Sequence, residues 1–399
     1  MEIKVFRLRL PLRNPFRIAH GSYAWRENIF HWIGHGGGFG MGEAPVVPYY
    51  GISADEIEAE LRAAVSPRLV EAALEGGRIV GAALEGGRAY GAALEDGRAD
   101  GAAFAHPVSR SAIETAVLAL RARLTGLKAA ELLGFSPAEL GCGTRAPASS
   151  FTVAYDEDAE AMARIAAESG FRRLKIKAGI PGDVERIRLL RERLPEAIIR
   201  VDANQGWSLE EAPARIAELE ALGVELIEEP IRGGPRELER LAAGTGVPIL
   251  LDESARDLEQ VRLYAKEAPS VAGIVIKTAK NGGPSASLEL ARAARDEGME
   301  VMVSSMVETS LGLSSALPLA PLCRWCDLDA PLLLGSDPFT GLSYEAEAPV
   351  LAPEGVLPGP ELAALIAGLP SLARSNVRGG AGGEARGGTW GGPGGGAAL

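Results

Sequence analysis

From residue 150 onward, short apolar runs alternate with longer segments in which apolar residues recur at helical spacing. The short runs predict buried strands, and the longer segments predict amphipathic helices at 183–194, 208–222, 256–267 and 284–297. The strands are predicted to end near Val153, Lys177, Asp202, Glu228, Asp252, Lys277 and Ser304, with a last strand over 324–329. Repeated strand–helix units form a parallel barrel or a doubly wound sheet. Reactive residues at the ends of consecutive strands favour the barrel, where these ends meet at one mouth.

The first part of the chain has a different pattern. Residues 2–10 and 27–34 predict strands, and the polar and small residues of 15–22 predict a loop between them. Ser53, with Glu56 three residues later, predicts the N-terminal cap of a helix.

A second helix and two low-complexity segments complete the pattern. The apolar positions of 109–133 predict a long helix that ends at Gly134. Residues 71–104 repeat a glycine-containing motif with a period of ten residues, far shorter than the periods of solenoid repeats. We interpret this segment as an insertion without a part in the chemistry, and we expect the glycine-rich tail 376–399 to be disordered.

Composition and charge exclude several classes of protein. The chain has 399 residues, 47% of them hydrophobic, which suits a large core in two domains. The formal net charge of −12 argues against general binding of nucleic acid. The sequence has no apolar run long enough to predict a membrane span. We also expect no signal peptide, because the first residues lack its apolar core. The three cysteines fit a reducing cytoplasm, and we interpret the pair Cys323 and Cys326 as structural.

Three of the predicted strand ends carry a carboxylate: Asp202, Glu228 and Asp252. Carboxylates, waters and substrate oxygens together form the octahedron that Mg²⁺ prefers. No histidine or cysteine stands at these strand ends to favour zinc. One such carboxylate alone is more often a helix cap, but three at equal spacing beside lysines indicate a Mg²⁺ site.

Lysines occupy the strands on both sides of these carboxylates. Lys175 and Lys177 share one face of a buried strand, and Lys277 ends the strand that follows the carboxylates. In a barrel, Lys177 and Lys277 would face each other across a bound ligand, so that one removes a proton and the other returns it. Lys175 would favour the neutral, basic form of Lys177 by like-charge repulsion. Lys280 lies beyond the strand, and we interpret it as a loop charge.

These motifs resemble those of the enolase superfamily, in its muconate-lactonizing subgroup, and most closely those of the dipeptide epimerases. The matching segments lie within about residues 2–370 and include Lys175-Ile176-Lys177, Asp202-Ala203-Asn204-Gln205-Gly206-Trp207, Ile227-Glu228-Glu229-Pro230, Asp252-Glu253-Ser254, Ile276-Lys277 and Asp327-Leu328-Asp329. The resemblance implies a modified (β/α)₇β TIM barrel with an α+β capping domain. It also implies Mg²⁺ on the three carboxylates, with Lys177 and Lys277 as the acid/base pair.

The resemblance further implies how the chain is divided. Residues 1–145 form the capping domain, 146–345 form the barrel, and 346–375 return to the capping domain. Proteins with this fold are commonly homo-oligomers, so by analogy we expect one here.

Asp327 and Asp329 indicate which activity of the subgroup to expect. Their carboxylates share one face at the end of the last strand. In dipeptide epimerases this motif binds the α-ammonium group of the dipeptide. The resemblance therefore implies inversion of the C-terminal residue of an L,L-dipeptide, by two-base proton transfer through an enediolate. Lys175 would help to hold the substrate carboxylate.

Three further residues are expected to contact the substrate: His20, Asn204 and Glu308. The preferred side chain should be set by the loops 16–28 and 45–53. Epimerases for Ala-Glu carry an arginine in the first of these loops. No arginine stands at that place here, and Arg26 lies further along. The second residue of the dipeptide substrate could therefore be hydrophobic, polar or basic.

Several other functions are weighed against this one. N-acylamino-acid racemase, o-succinylbenzoate synthase and muconate cycloisomerase would use the same lysines and metal, but none needs an acid pair for an ammonium group. A non-catalytic binding protein with this fold would have no use for buried, paired charges. Sugar-acid dehydratases usually carry a histidine base, and no histidine follows His106.

Overall fold

The computed structural model describes residues 1–18, 21–48, 51–64, 67–74, 104–136, 139 and 146–372. Most of the predicted insertion, the tail 376–399, His20 and Cys142 lie outside these residues. Within the described ranges, no helix is both long and apolar enough to cross a membrane.

An antiparallel sheet opens the chain, with long strands β1 (Glu2–Ile18), β2 (Gly21–His35) and β3 (Gly38–Pro45). Pairing of β1 and β2 continues beyond the predicted strand ends, with Phe16 opposite Tyr23. The loop predicted over 15–22 is therefore wrong. The register shifts between Pro11 and Phe16, and this irregularity interrupts the alternation by which a strand is recognised.

The helices of this part are α1 (Ala54–Ala64), α2 (Pro67–Leu74), α3 (Pro107–Thr125) and α4 (Ala129–Leu132). The predicted cap of α1 is confirmed. The Ser53 hydroxyl accepts from the Glu56 backbone N–H at 3.2 Å, and the Glu56 carboxylate accepts from the Ser53 N–H at 2.8 Å. Helix α3 ends at Gly126 and not at Gly134, because Gly126 adopts a left-handed conformation and donates its N–H to Ala122.

Eight parallel strands of the described residues form one sheet in chain order: β4 (Phe151–Val153), β5 (Arg173–Lys177), β6 (Ile198–Asp202), β7 (Leu226–Glu228), β8 (Ile249–Leu251), β9 (Gly273–Ile276), β10 (Glu300–Ser304) and β11 (Trp325–Asp327). A parallel bridge between Ser149 and Cys326 joins the two edges of this sheet. The predicted (β/α)₇β barrel is confirmed.

The helices that connect these strands are α5 (Ala159–Ser169), α6 (Asp183–Arg193), α7 (Ala212–Ala221), α8 (Pro235–Ala243), α9 (Leu258–Glu267), α10 (Thr278–Asn281), α11 (Pro284–Asp296), α12 (Ser310–Ser314), a 3₁₀-helix (Leu317–Leu322) and α13 (Ala330–Leu333). Their apolar faces pack on the outside of the strands, where Ile187, Ile216 and Leu238 are fully buried. A second cluster forms around Leu250, Val275, Met302 and Trp325.

The last described segment returns to the first strand. It contains β12 (Phe339–Thr340), β13 (Leu342–Glu345), β14 (Ala348–Leu351), β15 (Leu357–Pro358) and α14 (Pro360–Gly368). Lys4 Nζ donates to the carbonyl of Ile366 at 2.7 Å, and Leu372 N donates to Ile3 at 2.7 Å. The exact domain boundaries stay predictions.

Replacing Gly42 by alanine tests the packing of β3 against α3. A Cβ at Gly42 would lie 1.7 Å from the backbone oxygen of Ala112, so strand and helix must separate. We expect Gly42→Ala to lower the free energy of unfolding, measured in urea, by at least about 2 kcal/mol. Gly368→Ala is the control, because a Cβ there meets no heavy atom within 4 Å. Equal stability of the two variants would contradict this packing.

Candidate active site

The carboxyl ends of consecutive strands bring the predicted residues together. Strand register places Lys177 opposite Asp202, and Asp202 opposite Glu228. Further charged residues at this end of the barrel include Lys175, Asp252, Lys277 and Asp327. Lysines and carboxylates from different strands therefore meet at one mouth, as predicted for a barrel.

Lys175 lies at the centre of this cluster. Its Nζ is 2.7 Å from Glu228 Oε2, 2.8 Å from Asp327 Oδ2 and 3.1 Å from Asp202 Oδ2, and the side chain is 3% exposed. Burial lowers the pKa of Lys175, but these carboxylates outweigh burial and raise it well above its usual value. Lys175 is therefore a fixed positive charge and not a candidate base.

Lys177 and Lys277 contact opposite ends of the row of carboxylates. Lys177 Nζ lies 2.5 Å from Asp202 Oδ2, and Lys277 Nζ lies 2.5 Å from Asp252 Oδ2. Both lysines line one cavity, whose wall also contains Phe16 from β1. The two amines therefore belong to one cavity, although they contact different carboxylates.

The three carboxylates differ in charge state. Burial favours the neutral form of each, but adjacent ammonium groups outweigh it at Asp202 and Asp252 and hold the pKa of both well below the usual range. Burial and the charge of Asp202 raise the pKa of Glu228 to about 8. Glu228 therefore needs a further positive charge to be ionised at neutral pH.

The donor set fits Mg²⁺. Neither carboxylate oxygen of Glu228 accepts a hydrogen bond, although Lys175 lies beside one of them. In the described part of the chain, no group of three or more His, Cys, Asp and Glu side chains could hold a metal ion as it stands. Lysine ammonium groups lie against these carboxylates. Three hard oxygen donors from consecutive strands, one of them without a hydrogen bond, are nevertheless the chemistry that Mg²⁺ requires.

The interpretation of Lys280 as a loop charge is wrong. It is 5% exposed and donates to Asp252 Oδ1 at 2.7 Å and to the carbonyl of Val275 at 2.8 Å. No loop follows β9, because the chain enters α10 directly after it. One helical turn brings Lys280 back to Asp252. The spacing of three residues between Lys277 and Lys280 was the available signal.

The acid pair of the last strand reaches the same cavity. Asp327 accepts from Ser150 Oγ at 2.7 Å and from Ser304 Oγ at 2.9 Å, and Lys175 outweighs burial to lower its pKa. Asp329 accepts from Thr152 N at 2.5 Å. Burial and the charge of Asp327 raise the pKa of Asp329 to about 7.

Of the other residues considered as substrate contacts, two line the cavity and one lies outside the described residues. Asn204 lines the cavity, and its side chain joins Lys177 Nζ at 3.4 Å to Glu253 Oε1 at 3.2 Å. Arg26 also lines the cavity, and its guanidinium lies 3.6 Å from the ring centroid of Tyr23. His20 lies outside the described residues.

Glu308 is absent from the described residues that line the cavity, and its carboxylate lies near a second buried carboxylate, Glu43 of β3. A Cβ built on Gly312 would lie 2.1 Å from a Glu308 oxygen and 2.9 Å from a Glu43 oxygen, so both carboxylates border this glycine. Burial raises the pKa of Glu43 to about 7. Burial and the charge of Glu43 raise the pKa of Glu308 to about 8. Burial therefore favours the protonated form of both carboxyl groups.

Sequence reasoning missed Glu43. The carboxylate accepts from Asn28 Nδ2 at 2.6 Å, from Thr309 N at 3.1 Å and from Gly312 N at 3.0 Å. The available signal was a lone acid in the apolar, glycine-rich strand β3. Its bonds join the first sheet to α12 of the barrel.

Comparison with known proteins agrees with this geometry. The family model described as enolase C-terminal domain-like matches residues 157–343. The L-Ala-D/L-Glu epimerase of Bacillus subtilis (strain 168) is 32% identical over 355 residues, which cover 86% of this chain and 91% of that protein.

Two solved structures show the same similarity. A substrate-liganded complex of the L-Ala-D/L-Glu epimerase from Bacillus subtilis has a TM-score of 0.72 at 30% identity, covering 90% of this chain and 97% of that one. A dipeptide epimerase from Enterococcus faecalis V583, complexed with Mg and L-Leu-L-Tyr, has a TM-score of 0.72 at 26% identity, covering 89% and 98%. The similarity thus includes both the first sheet and the barrel.

Replacing Glu308 by glutamine tests the raised pKa of Glu308. Because the pKa of Glu308 is higher in the folded than in the unfolded state, its contribution to stability is complete below about pH 4.5 and is lost as the pH rises through about 8. One such group lowers the free energy of unfolding by up to about 1.4 kcal/mol per pH unit. Glu308→Gln, which cannot lose this proton, should show a shallower fall between pH 5 and 8 than the wild type.

The measurement is urea unfolding across this pH range. Glu361→Gln, at an exposed position of α14, is the control and should keep the wild-type slope. The same slope in Glu308→Gln and in the wild type would contradict the raised pKa of Glu308.

Proposed function

We propose, from the premise that the chain belongs to the enolase superfamily and is an isomerase, that it is a Mg²⁺-dependent dipeptide epimerase. The reaction inverts the α-carbon of the C-terminal residue of an L,L-dipeptide. The observation that carries this proposal is one cavity lined by both Lys177 and Lys277 and by the acid pair Asp327 and Asp329.

The two lysines supply the proton acceptor and the proton donor. Their amines contact Asp202 and Asp252, at the two ends of the carboxylate row. A substrate α-carbon between them loses its proton to the neutral amine on one face and receives a proton from the ammonium group on the other. The lysines exchange these roles when the reaction runs in reverse.

Asp202, Glu228 and Asp252 would hold the Mg²⁺. When bound, the ion supplies positive charge that stabilises the negative charge developing on the substrate carboxylate. Lys175 adds a second positive charge at this place, because three carboxylates keep it protonated and immobile. The magnesium in the Enterococcus faecalis structure supports this choice of ion.

Asp329 is the part of the site that suits an ammonium group. Asp327 already has Lys175 as its counter-ion, whereas Asp329, among the described residues, has only Thr152 as a donor. A substrate ammonium beside Asp329 would favour its ionised form and complete the charge balance of the pair. The racemase, synthase and cycloisomerase alternatives supply no ammonium group to Asp329.

Proton exchange tests the proposed reaction. The purified protein with Mg²⁺ is incubated in D₂O with a library of L,L-dipeptides, and the products are read by mass spectrometry and chiral chromatography. We expect deuterium at the α-carbon of the C-terminal residue together with the D-epimer. Exchange of N-acylamino acids but of no dipeptide would overturn the proposal in favour of a racemase of the same family.

Replacing Asp329 by asparagine tests the ammonium contact. We expect Asp329→Asn to raise KM for a free dipeptide about 10- to 100-fold, the loss of one hydrogen bond to a charged group. The matched control is the N-acetylated dipeptide, which lacks the charge and should be turned over equally poorly by the wild type and the variant. Unchanged KM for the free dipeptide would show that the acid pair has only a structural role.

A further inference from the structure

Lys280 is buried below the candidate site, and it is absent from the described residues that line the cavity. An ammonium group has three donors, and each one here has a close acceptor. These are Asp252 Oδ1 at 2.7 Å, the Asp252 carbonyl at 2.7 Å and the Val275 carbonyl at 2.8 Å. Unlike a lysine that extends into solvent, Lys280 is therefore held in one position.

The two carboxylate oxygens of Asp252 are divided between two lysines. Lys280 contacts Oδ1 at 2.7 Å, and Lys277 contacts Oδ2 at 2.5 Å. The backbone of Asp252 is held as well, because its N–H donates to Glu229 Oε2 at 2.6 Å and its carbonyl accepts from Lys280. With Oδ1 and the backbone fixed, Oδ2 is the oxygen directed to Lys277.

We propose that Lys280 is a positioning residue, which holds Asp252 Oδ1 and thereby keeps the Asp252 carboxylate in one orientation, with Oδ2 against Lys277. In that orientation Asp252 would hold Mg²⁺. This inference rests on the proposed function, since it takes Asp252 as a ligand of that ion. Lys280 touches neither the substrate cavity nor the reacting carbon, and it acts through Asp252.

The contact between Lys280 and Asp252 also affects the charge balance when Lys277 moves. Lys277 must turn from Asp252 toward a substrate in order to exchange a proton. A carboxylate left buried without an opposite charge is strongly destabilising. Lys280 contacts the other oxygen of Asp252, so in the metal-free protein Asp252 still has a counter-ion when Lys277 turns away.

Magnesium binding tests this role apart from turnover. Lys280→Met retains the length of the side chain but removes every donor, and MgCl₂ is titrated into the metal-free protein by calorimetry. We expect the Kd for Mg²⁺ to rise at least about 10-fold, as for other residues that orient metal ligands. Lys266→Met, an exposed position of α9 with the same loss of charge, should change the Kd less than about two-fold.

Kinetics supply a second readout. Because Lys280 does not line the cavity, kcat should fall in Lys280→Met while KM for the dipeptide changes little. If the methionine variant does not fold, judged by circular dichroism, Lys280→Gln is assayed instead and judged by the same criterion.

The outcomes separate this inference from the proposed function. A folded Lys280 variant that binds Mg²⁺ as tightly as the wild type, or one that loses no more affinity than Lys266→Met, overturns the role of Lys280 and leaves the epimerase proposal intact. A wild type that neither binds Mg²⁺ nor exchanges any dipeptide overturns both.

Discussion

Lysines held against carboxylates, out of contact with water, are the interaction on which the rest of this structure depends. Removing an ion from water costs several kcal/mol, and the loss is offset only where an opposite charge lies in good geometry. Strand register supplies that geometry, because it sets Lys177 beside Asp202 and Asp202 beside Glu228. The barrel therefore stabilises its charges only when the strands are correctly aligned. The same alignment creates a site with positive charges on both sides of a row of acids.

The first sheet completes this site and is tied to the barrel by buried polar contacts. Asn28 Nδ2 donates to the carbonyl of Val307 at 3.1 Å, and Glu43 accepts from the first turn of α12. On another helix, Glu114 Oε1 accepts from Ser285 N at 3.0 Å, at the start of α11. Two acids of the first part of the chain thus meet the positive ends of two barrel helices. Phe16 and Arg26 of the same sheet line the cavity.

The strand–helix alternation and the charged strand ends could be predicted because both are local patterns along the chain. The strand pattern could not predict the burial of Lys280, because that burial depends on the short helix α10, which brings the side chain to Asp252. Glu43 was missed for a related reason: the carboxylate that it meets, Glu308, is distant in sequence. The ends of β1 and β2 were underestimated because an irregular register breaks the alternation on which strand prediction rests. The local sequence pattern therefore does not reveal contacts between residues that are distant in sequence, or irregular pairing of strands.

Proton exchange by single lysine variants tests the central claim most directly. Lys177→Arg and Lys277→Arg retain the buried positive charge, but a guanidinium group cannot act as a base at neutral pH. Each variant is incubated in D₂O with Mg²⁺ and with either the L,L- or the L,D-epimer of the best dipeptide. We expect that neither variant epimerises the dipeptide. One variant should exchange the α-proton of the L,L-epimer only, and the other should exchange that of the L,D-epimer only. Epimerisation by either variant, or exchange of the same epimer by both, would contradict two bases on opposite faces of one carbon.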